Sequence, residues 1–155
     1  MPDFFDEILH ELEVPLRLGD ILKDVDGDRY FNDLQRFFPV NMGRIAWDAV
    51  VGHRYMRLPR PKGGDSSEVY HVKIKPMLIN FFNNEANLGT VVENQVVIWI
   101  GDSSSFALAM SLSSLRKYSN VLFSYPQHSY VFPITYEWCV NYTMEGEIYY
   151  GQRPS

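Results

Sequence analysis

The chain has 155 residues, the length of one compact domain of ~100–200 residues, and the sequence predicts a single domain over 1–155. Its 46% hydrophobic and 21% charged residues match globular averages, which excludes wholesale disorder. Fourteen Lys+Arg against nineteen Asp+Glu leave net −5, against a general nucleic-acid binder, and the only cysteine, Cys139, excludes an intramolecular disulfide or a multi-thiolate zinc site.

Residues 1–14 carry Asp3, Asp6, Glu7, Glu11 and Glu13 where an export signal needs basic residues and then an apolar run. No stretch approaches the ~20 apolar residues of a membrane span. The expectation is a cytoplasmic protein without membrane contact. Asn141-Tyr142-Thr143 matches a glycosylation acceptor, which without a secretory route is accidental.

From the N-terminus, Asp3 caps a first helix with Phe4, Phe5, Ile8, Leu9 and Leu12 on one face, ended by Pro15. Asp28 caps a second, with Tyr30, Phe31, Leu34, Phe37 and Phe38 inward, stopped by Pro39. Residues 41–51 suggest a short third helix with Gly52 at its end. Residues 59–67, rich in Pro, Gly and Ser, form the clearest loop. Beyond it Tyr70, Val72 and Ile74 alternate with polar residues as in a half-buried strand, and 76–84 reads equally as helix or strand. Residues 91–100 predict a strand whose apolar run Val96 to Ile100 is central and covered on both faces. Asp102 or Ser103 caps a helix carrying Phe106, Ala109, Met110, Leu112 and Leu115. The tail predicts strands at 121–125, 130–134, 138–143 and 147–150, with Glu145-Gly146 in a tight hairpin turn. The fold class is α+β, with N-terminal helices packed on a largely antiparallel C-terminal sheet.

Charge is uneven along this order. Residues 1–33 hold ten acids against three bases, net −7, and 34–75 hold eight bases against three acids, net +5. One reading lets the two segments pack side by side and neutralise each other; the other turns one of them toward an oppositely charged partner.

Candidate chemistry is sparse. Asp24, Asp26 and Asp28 have the spacing of a calcium loop's first ligands, but the glycine position holds Arg29 and the bidentate Glu position holds Gln35. No metal is expected. Gly101-Asp102-Ser103 after an apolar strand resembles the nucleophile block of the GDSL-type esterases, yet no Asp-x-x-His closes the chain, since Tyr125 precedes His128 by three residues. His10, His53, His71 and His128 are isolated, and Lys62-Gly63-Gly64-Asp65 lacks the features of a phosphate loop. Arg54, Arg57, Arg60 and Lys62 around Tyr55 have the composition of a strand-binding basic loop, against the overall charge. The reading is no catalytic residue and no cofactor.

The closing segment from Tyr130 through Trp138-Cys139-Val140-Asn141-Tyr142 and Glu145-Gly146 to Tyr150-Gly151 resembles the C-terminal strands of small acidic bacterial immunity proteins of contact-dependent inhibition and other polymorphic toxin systems. The resemblance implies a cytosolic, non-enzymatic protein that binds a cognate protein toxin and blocks it. The expected contact surface is the acidic turn with Asp20, Asp24, Asp26, Asp28 and Asp33, because a nuclease toxin needs a basic cleft for phosphate. The alternatives are a small serine hydrolase using Ser103 and a nucleic-acid or regulatory module using the 54–62 loop.

Overall fold

The computed structural model describes residues 4–24, 26–60, 63–64, 66–86, 94–101, 106–123, 128–143 and 145–154. Two short helices, α1 (Phe4–Glu11) and α2 (Glu13–Leu18), lead into strand β1 (Ile21–Asp24) and helix α3 (Gly27–Phe37). A small hairpin follows, β2 (Val40–Asn41) and β3 (Arg44–Ile45), then a single 3-10 turn at Trp47–Ala49 and strand β4 (Arg54–Arg57). Helix α4 (Ser67–Asn80) runs into a π-helical turn at Phe81–Glu85. Strands β5 (Val96–Gly101) and β6 (Ala107–Ser111), helix α5 (Leu112–Leu122) and strands β7 (Ser129–Pro133), β8 (Trp138–Tyr142) and β9 (Glu147–Gln152) complete the chain.

Seven strands form one sheet in the order β1-β6-β5-β7-β8-β9-β4, every neighbouring pair antiparallel. The class is α+β, as expected, but the helices are not gathered at the N-terminus: α4 and α5 lie between strands. One face of the sheet, with Val97, Trp99, Leu108, Met110, Val131 and Val140, packs on α1, α4 and α5. The other, with Ile98, Ile100, Tyr130, Phe132 and Cys139, packs on α3 and the 45–50 segment. Burial from both sides explains why Val97 to Ile100 has no polar alternation.

Several boundaries differ from expectation for local reasons. Pro15 does not end a helix: it sits in the first turn of α2, where no intrahelical N–H is needed, and the stop is Gly19 at φ 81°. The third helix is replaced by the β2–β3 hairpin, because Met42 and Gly43 both take positive φ (52° and 78°), the geometry of a two-residue primed turn. The alternation at 70–74 belongs to a helix. Ser66 accepts the Val69 N–H at its start, and the buried residues Ile74, Leu78 and Phe82 repeat every four. The segment 76–84 is helical, with Pro76 inside α4. The helix placed after Asp102 and Ser103 begins at Leu112, capped by the Ser111 hydroxyl on the Ser114 N–H, and 107–111 is strand; Asp102 and Ser103 themselves lie outside the described residues. Val121 and Leu122 end that helix instead of opening a strand. The Glu145-Gly146 turn is where it was expected, with Gly146 at φ 82° and its N–H on the Thr143 carbonyl.

Candidate functional site

The acidic turn is built by β1 and the start of α3. Gly19 in the left-handed conformation closes α2 and leaves Asp20 exposed before β1. Four residues on, roughly 13 Å at strand spacing, Asp24 ends β1 opposite Ala107. Asp26, not Asp28, is the N-cap of α3, its side chain accepting the Arg29 N–H at 3.3 Å. Asp28 occupies the first turn, where a carboxylate favours the helix dipole. Gly27 is buried against β6: a Cβ there would stand 2.8 Å from the Phe106 carbonyl carbon and oxygen, so the turn is held close to the sheet.

The five carboxylates divide into two kinds. Asp24 Oδ1 accepts the Asp26 N–H (3.0 Å), and its Oδ2 accepts the Tyr30 hydroxyl (2.9 Å) and pairs with Arg29 Nη2 (3.2 Å). The Asp26 amide, then the Tyr30 hydroxyl and the Arg29 charge, hold the Asp24 carboxyl below the usual range. Asp33 faces Tyr136, whose hydroxyl donates to it at 3.4 Å, and lies 3.8 Å from Arg36. Burial first, and the Asp33 charge second, push the Tyr136 phenol up to about 12. Asp20, Asp26 and Asp28 are exposed and, among the described residues, make no ion pair. The structure therefore gathers Asp24, Asp26 and Asp28, sets Asp20 at the far end of β1, and turns Asp33 inward. Lys23 and Arg29 are exposed beside them, so the turn holds three acids against two bases, and Asp20 at the other end of β1 adds a fourth acid.

The side-by-side packing of acidic and basic segments holds for α1 and α4, which share one core, but not for β1 and β4. β1 and β4 occupy opposite edges of the sheet, so five strands separate Arg54 and Arg57 from the acidic turn. Among the described residues, the Arg36–Asp33 ion pair alone joins the two segments; Arg44 pairs with Glu145 in the β8–β9 turn.

The 54–57 part of the basic loop is an edge strand, with Arg54, Tyr55 and Arg57 exposed; Lys62 lies outside the described residues. Tyr55 leans on Tyr149 (5.1 Å between centroids), which stacks on Trp47 (5.5 Å, 5° between planes), with His53 at their edge. No sequence pattern announced this cluster, since it joins residues about a hundred positions apart through the β4–β9 pairing. Ser103 lies outside the described residues, and His128 is buried at the start of β7. Cys139 is fully buried, and burial pushes its thiol well above the ordinary value, opposite to what a thiol nucleophile requires. Asn141 is also buried, its amide donating to the Ser129 and Tyr142 carbonyls, so the glycosylation match is accidental.

Among the described residues no three His, Cys, Asp or Glu side chains converge as a metal site, and no helix is long and apolar enough to cross a membrane. No protein-family model matches the chain, and no curated protein matches it by sequence.

Proposed function

We propose that the protein is a cytoplasmic, non-enzymatic binding protein of the immunity type, which neutralises a basic toxin, such as a nuclease, through the acidic turn. The observation that carries this reading is that Asp26 and Asp28 project from a turn pinned by Gly27 and the Asp24–Tyr30 hydrogen bond, with Asp20 exposed at the other end of β1, and none of the three makes an ion pair among the described residues. Exposed carboxylates outside any ion pair attract a basic surface without first breaking an internal salt bridge, and such charges act chiefly on the association rate. The acidic composition and the likeness of the last strands to immunity proteins support the same reading.

The test is co-expression. The C-terminal region of the protein encoded beside this chain's gene is produced in cells with and without the chain. Growth arrest that the chain relieves, together with a complex of the two purified proteins, supports the reading. Arrest that persists, with no complex, refutes it.

A second reading has its own observation: Tyr55 is exposed between Arg54 and Arg57 on the opposite edge, the composition of a site that stacks a base and contacts phosphate. It predicts salt-sensitive binding of a short single-stranded oligonucleotide that Tyr55→Ala abolishes.

A further inference from the structure

The helical layer on the first face of the sheet carries two exposed apolar stripes in opposite electrostatic surroundings. α4 carries apolar residues on its outer side as well as on its inner one. Its inward residues Ile74 and Leu78 are fully buried, yet Val69 and Val72 are 44% and 71% exposed, and Pro76 and Ile79 continue their stripe at helical spacing. A surface helix ordinarily keeps that side polar. The stripe borders an open groove of about 670 Å³, with Asn120 of α5 on its other wall. Basic residues flank it: the sequences of α4 and α5 hold Lys73, Lys75, Arg116 and Lys117 and one acid, Glu68, in a chain of net −5. Lys75 Nζ donates to the Lys117 carbonyl at 2.7 Å, which ties the basic residues of the two helices together.

The second stripe is on α2. Val14 and Leu18, one turn apart, are 52% and 66% exposed. Glu7, Glu11 and Glu13 are exposed around them, with Arg17 and His10 as the opposing bases. Both stripes belong to the same layer, since Ile8, Leu12, Ile74, Leu78 and Leu115 share one core beneath them. Among the described residues they supply four of the ten exposed large hydrophobic side chains, in two pairs on one layer.

From this juxtaposition we infer that the chain forms a two-fold dimer through its helical layer, the acidic α1–α2 stripe of each copy lying on the basic α4–α5 stripe of the other. Two-fold symmetry makes the contact twice and closes it, so no open fibre results. Pairing α4 with α4 would set lysines against lysines. An anionic lipid surface would meet Glu7, Glu11 and Glu13 together with the lysines, because both stripes lie on one layer. A second copy satisfies both charges and covers both stripes.

The test is sedimentation of the full chain alone at low salt and roughly 100 µM, a hundredfold above a micromolar dissociation constant. Wild type sediments as a dimer that dissociates as salt rises. The reversals Glu11→Lys with Glu13→Lys, and Lys73→Glu with Lys117→Glu, are each monomeric alone. Mixed together they form a one-to-one dimer, because every contact again opposes unlike charges; a variant that had merely lost its fold would show no such rescue. Val72→Gln, which removes apolar area without changing charge, weakens the wild-type dimer about tenfold. A wild type that stays monomeric, reversals that remain dimeric, or a mixture that fails to associate overturns the inference. None of these readings involves a toxin, so the result stands apart from the function proposed above.

Discussion

Gly151 lies beneath the 3-10 turn on the second face: a Cβ there would stand 2.7 Å from Trp47 Cζ3 and 2.8 Å from Val50 Cγ1. Trp47 is 6% exposed, and its indole N–H donates to Asn141 Oδ1 at 3.0 Å, so the ring has little room to yield. Gly151→Ala is therefore expected to destabilise the chain by ~1–3 kcal/mol in denaturant unfolding, the usual range for overpacking. Gly63→Ala, where a Cβ meets nothing, is the control and stays within about 0.5 kcal/mol. Cys139 gives a second prediction at this scale. Burial keeps its thiol protonated, so a thiol reagent at mildly alkaline pH leaves the native protein unlabelled and labels the unfolded chain at one site. The buried, small-residue role of Cys139 was legible from its neighbours Trp138 and Val140. That of Gly151 was not, since its tight contacts come from residues about a hundred positions earlier.

Elements were legible where one period dominated and illegible where tertiary pairing decided. The unbroken apolar run at 96–100 and the tail strands expected at 130–134, 138–143 and 147–150 formed as read, whereas the strand expected at 121–125 gave way to the end of α5. β1 and β4 were missed because each has only four residues, is rich in charge, and becomes a strand by docking at a sheet edge. Charged, short edges of this kind also discourage unwanted pairing. The Phe106–Leu115 segment misled because strand β6 and helix α5 follow each other without a break, so one apolar rhythm blends into another. For α3 the cap was misplaced by two residues, and the correction is itself testable. Asp26→Ala removes the acceptor of the Arg29 N–H and should cost ~0.5–2 kcal/mol, whereas Asp26→Asn keeps a good cap and should cost far less. Thermal unfolding of the two variants separates the cap from the charge. Equal loss in both would assign Asp26's contribution to its charge.

Across the whole molecule, both layers hold phenols whose ionisation is suppressed. Burial pushes Tyr142 on one face, and Tyr136 and Tyr149 on the other, up to about 12, with the Asp33 and Glu147 carboxylates adding to the effect at the latter two. A phenol with a raised folded-state value contributes stability below its unfolded value near 10. That contribution is lost as pH climbs from about 10 toward 12, because the unfolded chain releases those protons first. Alkaline unfolding should thus coincide with the late rise in tyrosinate absorbance; unfolding complete below pH 10 would remove these residues as its cause. The distribution of charge sets the final expectation. Acidic β1 and basic β4 stand at opposite edges of a seven-stranded sheet, about 29 Å apart along the sheet at strand spacing, between roughly three and four Debye lengths at physiological salt. At that distance they neither stabilise each other nor cancel for an approaching partner. Asp20→Asn with Asp28→Asn, which touches neither the Asp24–Arg29 pair nor the Asp26 cap, should leave the unfolding midpoint nearly unchanged. With a basic partner it should slow association and flatten the salt dependence, while dissociation changes little. Asp24→Asn, by contrast, gives up the Arg29 pair and should perturb the turn itself. Association rates at two salt concentrations, measured beside the melting curves, separate the two roles. An unchanged low-salt rate in the double variant would move the contact from the β1 edge to the Tyr55–Tyr149 edge, where Tyr55 is exposed.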